Sequence, residues 1–258
     1  MQEPPVILAP TSRQRIATAI QALAVAALTV LLLYSPWAQA QDKRDAATPY
    51  FRKLDSMEAR MQACVNCHGQ QGQGTSDEYF PRIAGKPAAY LYNQLLAFRE
   101  GRRVYPPMNY LVGYLPDAYL KEMAEYFAAQ QPAFEARGAQ PLSAPMAERG
   151  RTLVQQGDAA HGIPACVACH GKQLTGMLPG IPGLAGLKPA YIAGQLTRWR
   201  VGERVAAEPD CMKRIATRLT DSDISAVAGW LAQQPAPGNA APEPSNLIRM
   251  PLACGSQG

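Results

Sequence analysis

The chain is poor in the residues from which enzymes and large apolar cores are usually built. It has 3 His, 5 Phe and 3 Trp in 258 residues. No paired carboxylates and no nucleophile–base set stand out, so acid–base and nucleophilic catalysis have no obvious carriers. No stretch alternates apolar and polar residues in the way a half-buried strand requires, and an all-α fold is expected. Gly69, Gly72 and Gly74 resemble a fragment of a phosphate loop. No strand precedes them, so they read as a flexible loop. With so few aromatics, domains of about a hundred residues would have meagre cores of their own. Something other than side chains must then supply apolar mass.

Two copies of one short motif are present: Cys64-Val65-Asn66-Cys67-His68 and Cys166-Val167-Ala168-Cys169-His170. Cys-x-x-Cys-His is the c-type haem attachment pattern, with two thiols for the porphyrin vinyl groups and an imidazole for the iron. Two Cys-x-x-Cys pairs could also form a tetrahedral zinc site, and one pair a dithiol redox centre. Neither alternative explains why two of the 3 histidines directly follow the second cysteine. Two covalent haem c groups are therefore expected, and neither half should fold well without its haem. The formal charge of +5 would be largely offset by ionised haem propionates, so it is no argument for nucleic acid.

The N-terminus predicts export. Arg13 and Arg15 precede an apolar run from Ile16 to Tyr34, Pro36 breaks it, and Ala38-Gln39-Ala40 is a small-x-small cleavage pattern. Residues 1–40 read as a signal peptide cut after Ala40. The run is long enough to just span a bilayer, so an uncleaved anchor and membrane association through residues 16–34 are the alternative. Either way the body lies in the periplasm, where thioether attachment is completed.

Behind each motif the same landmarks return. Pro81, Ile83, Ala84 and Gly85 match Pro182, Leu184, Ala185 and Gly186; Tyr90, Gln94, Leu95, Arg99, Gly101 and Arg103 match Tyr191, Gln195, Leu196, Arg200, Gly202 and Arg204. After a three-residue insertion, Met108, Leu115, Asp117 and Leu120 meet Met212, Leu219, Asp221 and Ile224. This is a tandem duplication with one haem per unit. A first domain is expected over 41–134, a linker over 135–145, a second domain over 146–236 and a Pro-rich tail over 237–258. Leu120, Met123, Ala124 and Phe127 keep helical spacing, as do Ile224, Val227, Ala228 and Leu231, so each domain closes on an amphipathic helix. Thr220 with Asp223 predicts a capping box for the second. Further helices are expected over 54–63, 90–99, 146–156 and 191–200, with Gly101 and Gly202 at C-caps.

Each iron needs a sixth ligand or an open site. Met108 and Met212 recur at nearly equal distance after their histidines and are placed in loops before the terminal helices. A thioether raises the potential and leaves no vacancy for a substrate. The alternative is a core methionine, which is the reading for Met57, Met61, Met123, Met177 and Met250. His161 could replace Met212, but a polar loop histidine reads better as solvated. Arg99, Arg102, Arg103, Arg198, Arg200 and Arg204 read as helix-end cations, with propionates or an acidic partner as the alternative. Cys211 and Cys254 remain and suggest a disulfide in an oxidising compartment, free thiols being the other possibility.

These pieces together resemble the dihaem, two-domain class I c-type cytochromes of the cytochrome c-four kind. The resemblance rests on the two attachment motifs with trailing glycine, Pro81-Arg82-Ile83-Ala84-Gly85 and its partner Pro182-Gly183-Leu184-Ala185-Gly186, the Gln-Leu…Arg-x-Gly helices and the methionine-helix endings. It covers roughly residues 55 to 234. It implies thioethers on Cys64, Cys67, Cys166 and Cys169, proximal His68 and His170, and distal Met108 and Met212. It also implies two all-α domains that face each other and pass single electrons between respiratory-chain redox proteins, among them a membrane-bound oxidase or dehydrogenase. The insertion before Met212, Cys211 and the tail depart from the family pattern. A fixed subunit of a membrane dehydrogenase or oxidase and a dihaem peroxidase are the rivals; two methionine-ligated irons speak against the enzyme.

Overall fold

The computed structural model describes residues 55–76, 79–134, 141–244 and 250–257. The expected signal segment 1–40, its anchor alternative 16–34 and residues 135–140 of the expected linker lie outside these residues. Among the described residues no helix is long and apolar enough to cross a membrane.

The first half comprises α1 (Met57–Arg60), α2 (Gln62–His68), α3 (Ala88–Arg99), α4 (Pro106–Val112) and α5 (Asp117–Ala129). The second comprises α6 (Ala144–Gln155), α7 (Val167–His170), α8 (Pro189–Val201), α9 (Cys211–Ala216) and α10 (Asp221–Ala232). The stripes on the two terminal helices are buried as their spacing requires: Leu120, Met123, Ala124 and Phe127 on α5, and Ile224, Val227, Ala228 and Leu231 on α10. Thr220 and Asp223 form the capping box of α10, and Arg149 from α6 bonds the same Asp223 at 2.7 Å. At the α6–α10 crossing Gly150 is required, because a Cβ there would collide with the Ala226 carbonyl.

Two features differ from the sequence expectation. Met108 and Met212 sit on short helices, α4 and α9, rather than in loops. Pro106 opens the first, and Asp210 caps the second by accepting from Lys213 N at 2.9 Å. A two-stranded antiparallel hairpin, β1 (Gly176–Met177) with β2 (Ile181–Pro182), lies in the second half. Strands of two residues are too short to leave an alternating pattern. The tail is held in place, in line with the disulfide expected between Cys211 and Cys254. Glu243 N donates to Gly176 O and Leu178 N to Glu243 O, both at 2.8 Å, and Cys254 is disulfide-bonded to Cys211.

The buried apolar residues divide into two clusters, one per half. Met61, Val65, Leu91, Phe98 and Phe127 belong to the first, and Leu153, Leu196, Ile224, Val227 and Leu231 to the second. The halves meet at an antiparallel bridge between Arg103 and Arg204, flanked by Val205 N donating to Arg102 O at 2.8 Å.

Candidate haem sites

In the second half Cys166, Cys169, His170 and Met212 all line one cleft, which encloses about 1400 Å³ with its mouth included. α7 carries the histidine at its last position, and α9 presents the methionine. Leu153, Ile192, Leu196 and Leu231 form much of the apolar wall, while Leu252, Cys254 and Ser256 from the tail close one edge. Lys86, Tyr90 and Gln94 reach the cleft from the first half.

His170 is buried, and its Nδ1 donates to the Pro182 carbonyl at 2.8 Å. That bond fixes the tautomer and leaves Nε2 as the basic nitrogen, as a metal-ligating imidazole requires. Burial pushes the ring pKa down to about 4, against the raising effect of the Pro182 carbonyl, so the ring is neutral at pH 7. His68 repeats the arrangement: it is buried, donates from Nδ1 to Pro81 O at 3.0 Å, and has its pKa lowered first by burial.

The loops that supply those carbonyls are built alike. Ile83 N and Ala84 N donate to Gly72 O at 2.8 and 2.9 Å, and Leu184 N and Ala185 N to Leu174 O at the same distances. Gly72 has φ 73° and Leu174 φ 59°. The left-handed conformation is thus kept even where the second half lacks glycine, which is uncommon for a bulky residue. The recurring Pro-x-(Ile/Leu)-Ala-Gly segment was visible in the sequence; its role as holder of the histidine ring was not.

In the first half Cys64 and Met108 pack against the same apolar cluster, and Cys67 is half-buried one position before His68. Burial raises Cys64 to about 11 and Cys166 to about 12. These are not poised thiolates, which disfavours dithiol chemistry. The zinc alternative also fails, since among the described residues no three His, Cys, Asp or Glu side chains gather at one place. A covalently attached macrocycle fits the second cleft better. The lining is apolar, a neutral imidazole and two thiols meet there, and the buried Trp199 Nε1 has no hydrogen-bond partner in the structure. The carboxylate of a porphyrin would satisfy that donor.

His161 does not join the site: its side chain is 69% exposed and pairs with Asp158 at 2.9 Å. The six arginines split. Arg99 pairs with Asp117 at 2.6 Å, and Arg200 pairs with the equivalent Asp221. Arg102 pairs with Glu100 and Arg198 with Glu203 near the surface. Arg103 and Arg204 are instead buried between the halves, contrary to the plain helix-end reading. Arg103 donates to Gln94, Gln195 and Tyr191, and Arg204 to Gln195, Gln94 and Tyr90. This pseudo-two-fold network arises because repeat-equivalent residues face each other, a juxtaposition that local spacing does not reveal.

No family model matches the chain. It is 37% identical over 173 residues to the thiosulfate dehydrogenase electron acceptor of Thiomonas intermedia, covering 67% of this chain and 79% of that protein. It is 32% identical over 181 residues to cytochrome c4 of Pseudomonas aeruginosa, covering 67% of this chain and 85% of that one. The crystal structure of reduced recombinant cytochrome c4 from Pseudomonas stutzeri superposes with a TM-score of 0.60 at 30% identity, over 68% of this chain and 95% of that chain. With that fold and that likeness in sequence, the chain belongs to the cytochrome c4 family, a dihaem electron carrier of two class I cytochrome c domains with covalently bound haem c.

Proposed function

We propose that Cys64 and Cys67 would attach one haem, with His68 and Met108 holding its iron, and that Cys166 and Cys169 would attach the other, with His170 and Met212 holding its iron. The observation that carries the assignment is the recurrence, in both halves, of a buried histidine closing the Cys-x-x-Cys-His motif with its Nδ1 bonded to a proline carbonyl. A bound haem supplies a one-electron couple. The chain does the rest: each proline carbonyl holds its imidazole in one tautomer, each methionine would offer its thioether sulfur to the iron, and the apolar walls keep water out. Trp199 and Arg204 both line the second cleft and offer donors to carboxylates there.

The domains span 41–134 and 146–236, and the protein works in the periplasm after export. Its electron donor is a thiosulfate dehydrogenase or a related sulfur-compound dehydrogenase, a reading supported by the name of the Thiomonas relative, and its acceptor is a respiratory-chain protein such as a membrane-bound oxidase. Mass analysis of the exported protein should give the polypeptide plus two haems. Both should be low-spin and inert to carbon monoxide and peroxide. Met108→Ala should open the first site to carbon monoxide and lower its potential; an unchanged spectrum and potential would mean that another residue is the ligand.

A further inference from the structure

Two repeat-equivalent surfaces carry opposite chemistry. Around Met108, α4 and the turn after it expose Tyr110, Leu111 and Tyr114, which are 78%, 44% and 92% accessible. Around Met212, Lys213 and Arg214 stand at the positions of Asn109 and Tyr110, and Arg218 at that of Tyr114; all three cations are exposed. The backbone register is the same, because Val112 and Ala216 occupy equivalent positions and are both buried. At two of the three positions the first half carries exposed tyrosines, Tyr110 and Tyr114, so the same segment folds without the charges of Arg214 and Arg218.

Among the described residues no carboxylate forms an ion pair with Lys213, Arg214 or Arg218. Asp210 is buried and spent on the Lys213 and Ala206 backbone amides. The Arg218 guanidinium donates to the carbonyls of Gly162 and Arg214, at 3.4 Å each, rather than to a carboxylate among the described residues. The arc of charge begins one residue from Met212, beside the second redox site. Clustered like charges around such a site raise the local concentration of an oppositely charged partner and speed its encounter.

We propose that the Lys213–Arg214–Arg218 face is the docking surface for an acidic redox protein that exchanges electrons with the second site. In each encounter one electron leaves the second site and reduces the partner's metal centre by one, with no bond made or broken. The inference rests on the electron-carrier reading and adds to it a place and a sign: exchange at the second site is electrostatically steered, and exchange at the first is not.

The test uses the reduced holoprotein and the cupric form of an acidic blue-copper protein, mixed by stopped flow over a range of ionic strength. The bimolecular rate should fall about tenfold or more as salt rises. At low salt the triple variant K213E/R214E/R218E should lose a similar factor, and the milder K213Q/R214Q/R218Q an intermediate one. Glutamate at the exposed Tyr110 and Tyr114 should change the rate by less than about twofold. All variants should retain two low-spin haems and react normally with a small neutral oxidant; failure there would indict the carrier reading rather than the docking face. Equal rates in wild type and the charge-reversed variant would overturn the proposal. So would patch-dependent sedimentation with phosphatidylglycerol vesicles alongside an unchanged rate, which would assign the face to a lipid surface.

Discussion

Removing the Cys211–Cys254 bridge should unfold the second half early and leave the first half intact. The two cysteines are 43 positions apart, and the loop-closure entropy of a cross-link of that span is worth about 4 kcal/mol at 25 °C. The noncovalent contacts of the tail, such as Gly255 N donating to Pro209 O at 3.0 Å, survive in Cys254→Ser. They cannot replace the bridge, because an open loop regains its freedom in the unfolded chain. With a urea slope of about 2 kcal/mol per molar for a small domain, the midpoint should drop by about 2 M. Of the 3 tryptophans, Trp199 and Trp230 lie in the second half and Trp37 in the expected signal segment. Tryptophan emission, quenched by haem in the folded state, therefore reports on the second half of the exported protein. Cys211→Ser and the double variant should match Cys254→Ser, since all three break the same bond. Additive losses, or a midpoint that stays put, would refute the claim that the tail is strapped to this half.

Three further outcomes follow from packing and charge. Gly150→Ala should destabilise by about 1–3 kcal/mol through overpacking against Ala226, although alanine favours an exposed helix by roughly 1 kcal/mol; thermal denaturation decides the sign. Burial alone would raise the Asp223 carboxyl, but the Arg149 side chain and the Thr220 amide and hydroxyl outweigh it and hold the pKa below the ordinary 3.8. Its contribution is thus present above that value and lost as pH falls through the folded-state value. Asp223→Asn should cost about 1–2 kcal/mol at neutral pH and flatten the acid limb of a stability–pH profile. Arg103 and Arg204 share Gln94 and Gln195, so Arg103→Leu and Arg204→Leu should be strongly non-additive in a double-mutant cycle on stability; simple additivity would deny the shared network.

Much of the site was legible because its chemistry is local. The cysteine–histidine motifs are five residues long, the stripes of α5 and α10 repeat at helical spacing, and Thr220 with Asp223 lie within one turn. The Cys211–Cys254 pairing was reached by elimination and the oxidising compartment. Other features depend on distant contacts or very short elements. The helices bearing Met108 and Met212 are of seven and six residues, too short for periodicity to declare them. The β1–β2 hairpin has two residues per strand. The bond from His68 to Pro81 O and that from His170 to Pro182 O join segments 13 and 12 residues apart through the backbone, where side-chain identity is uninformative. The burial of Arg103 against Arg204 needed the packing of one repeat on the other, although their equivalent positions in the duplication were a usable clue.

The most direct measurement is the proton NMR spectrum of the fully reduced protein. Two iron-bound methionines should give two methyl resonances shifted far upfield by the porphyrin ring current, one vanishing in Met108→Ala and the other in Met212→Ala. A single such resonance in the wild type, or two that survive both substitutions, would contradict the account.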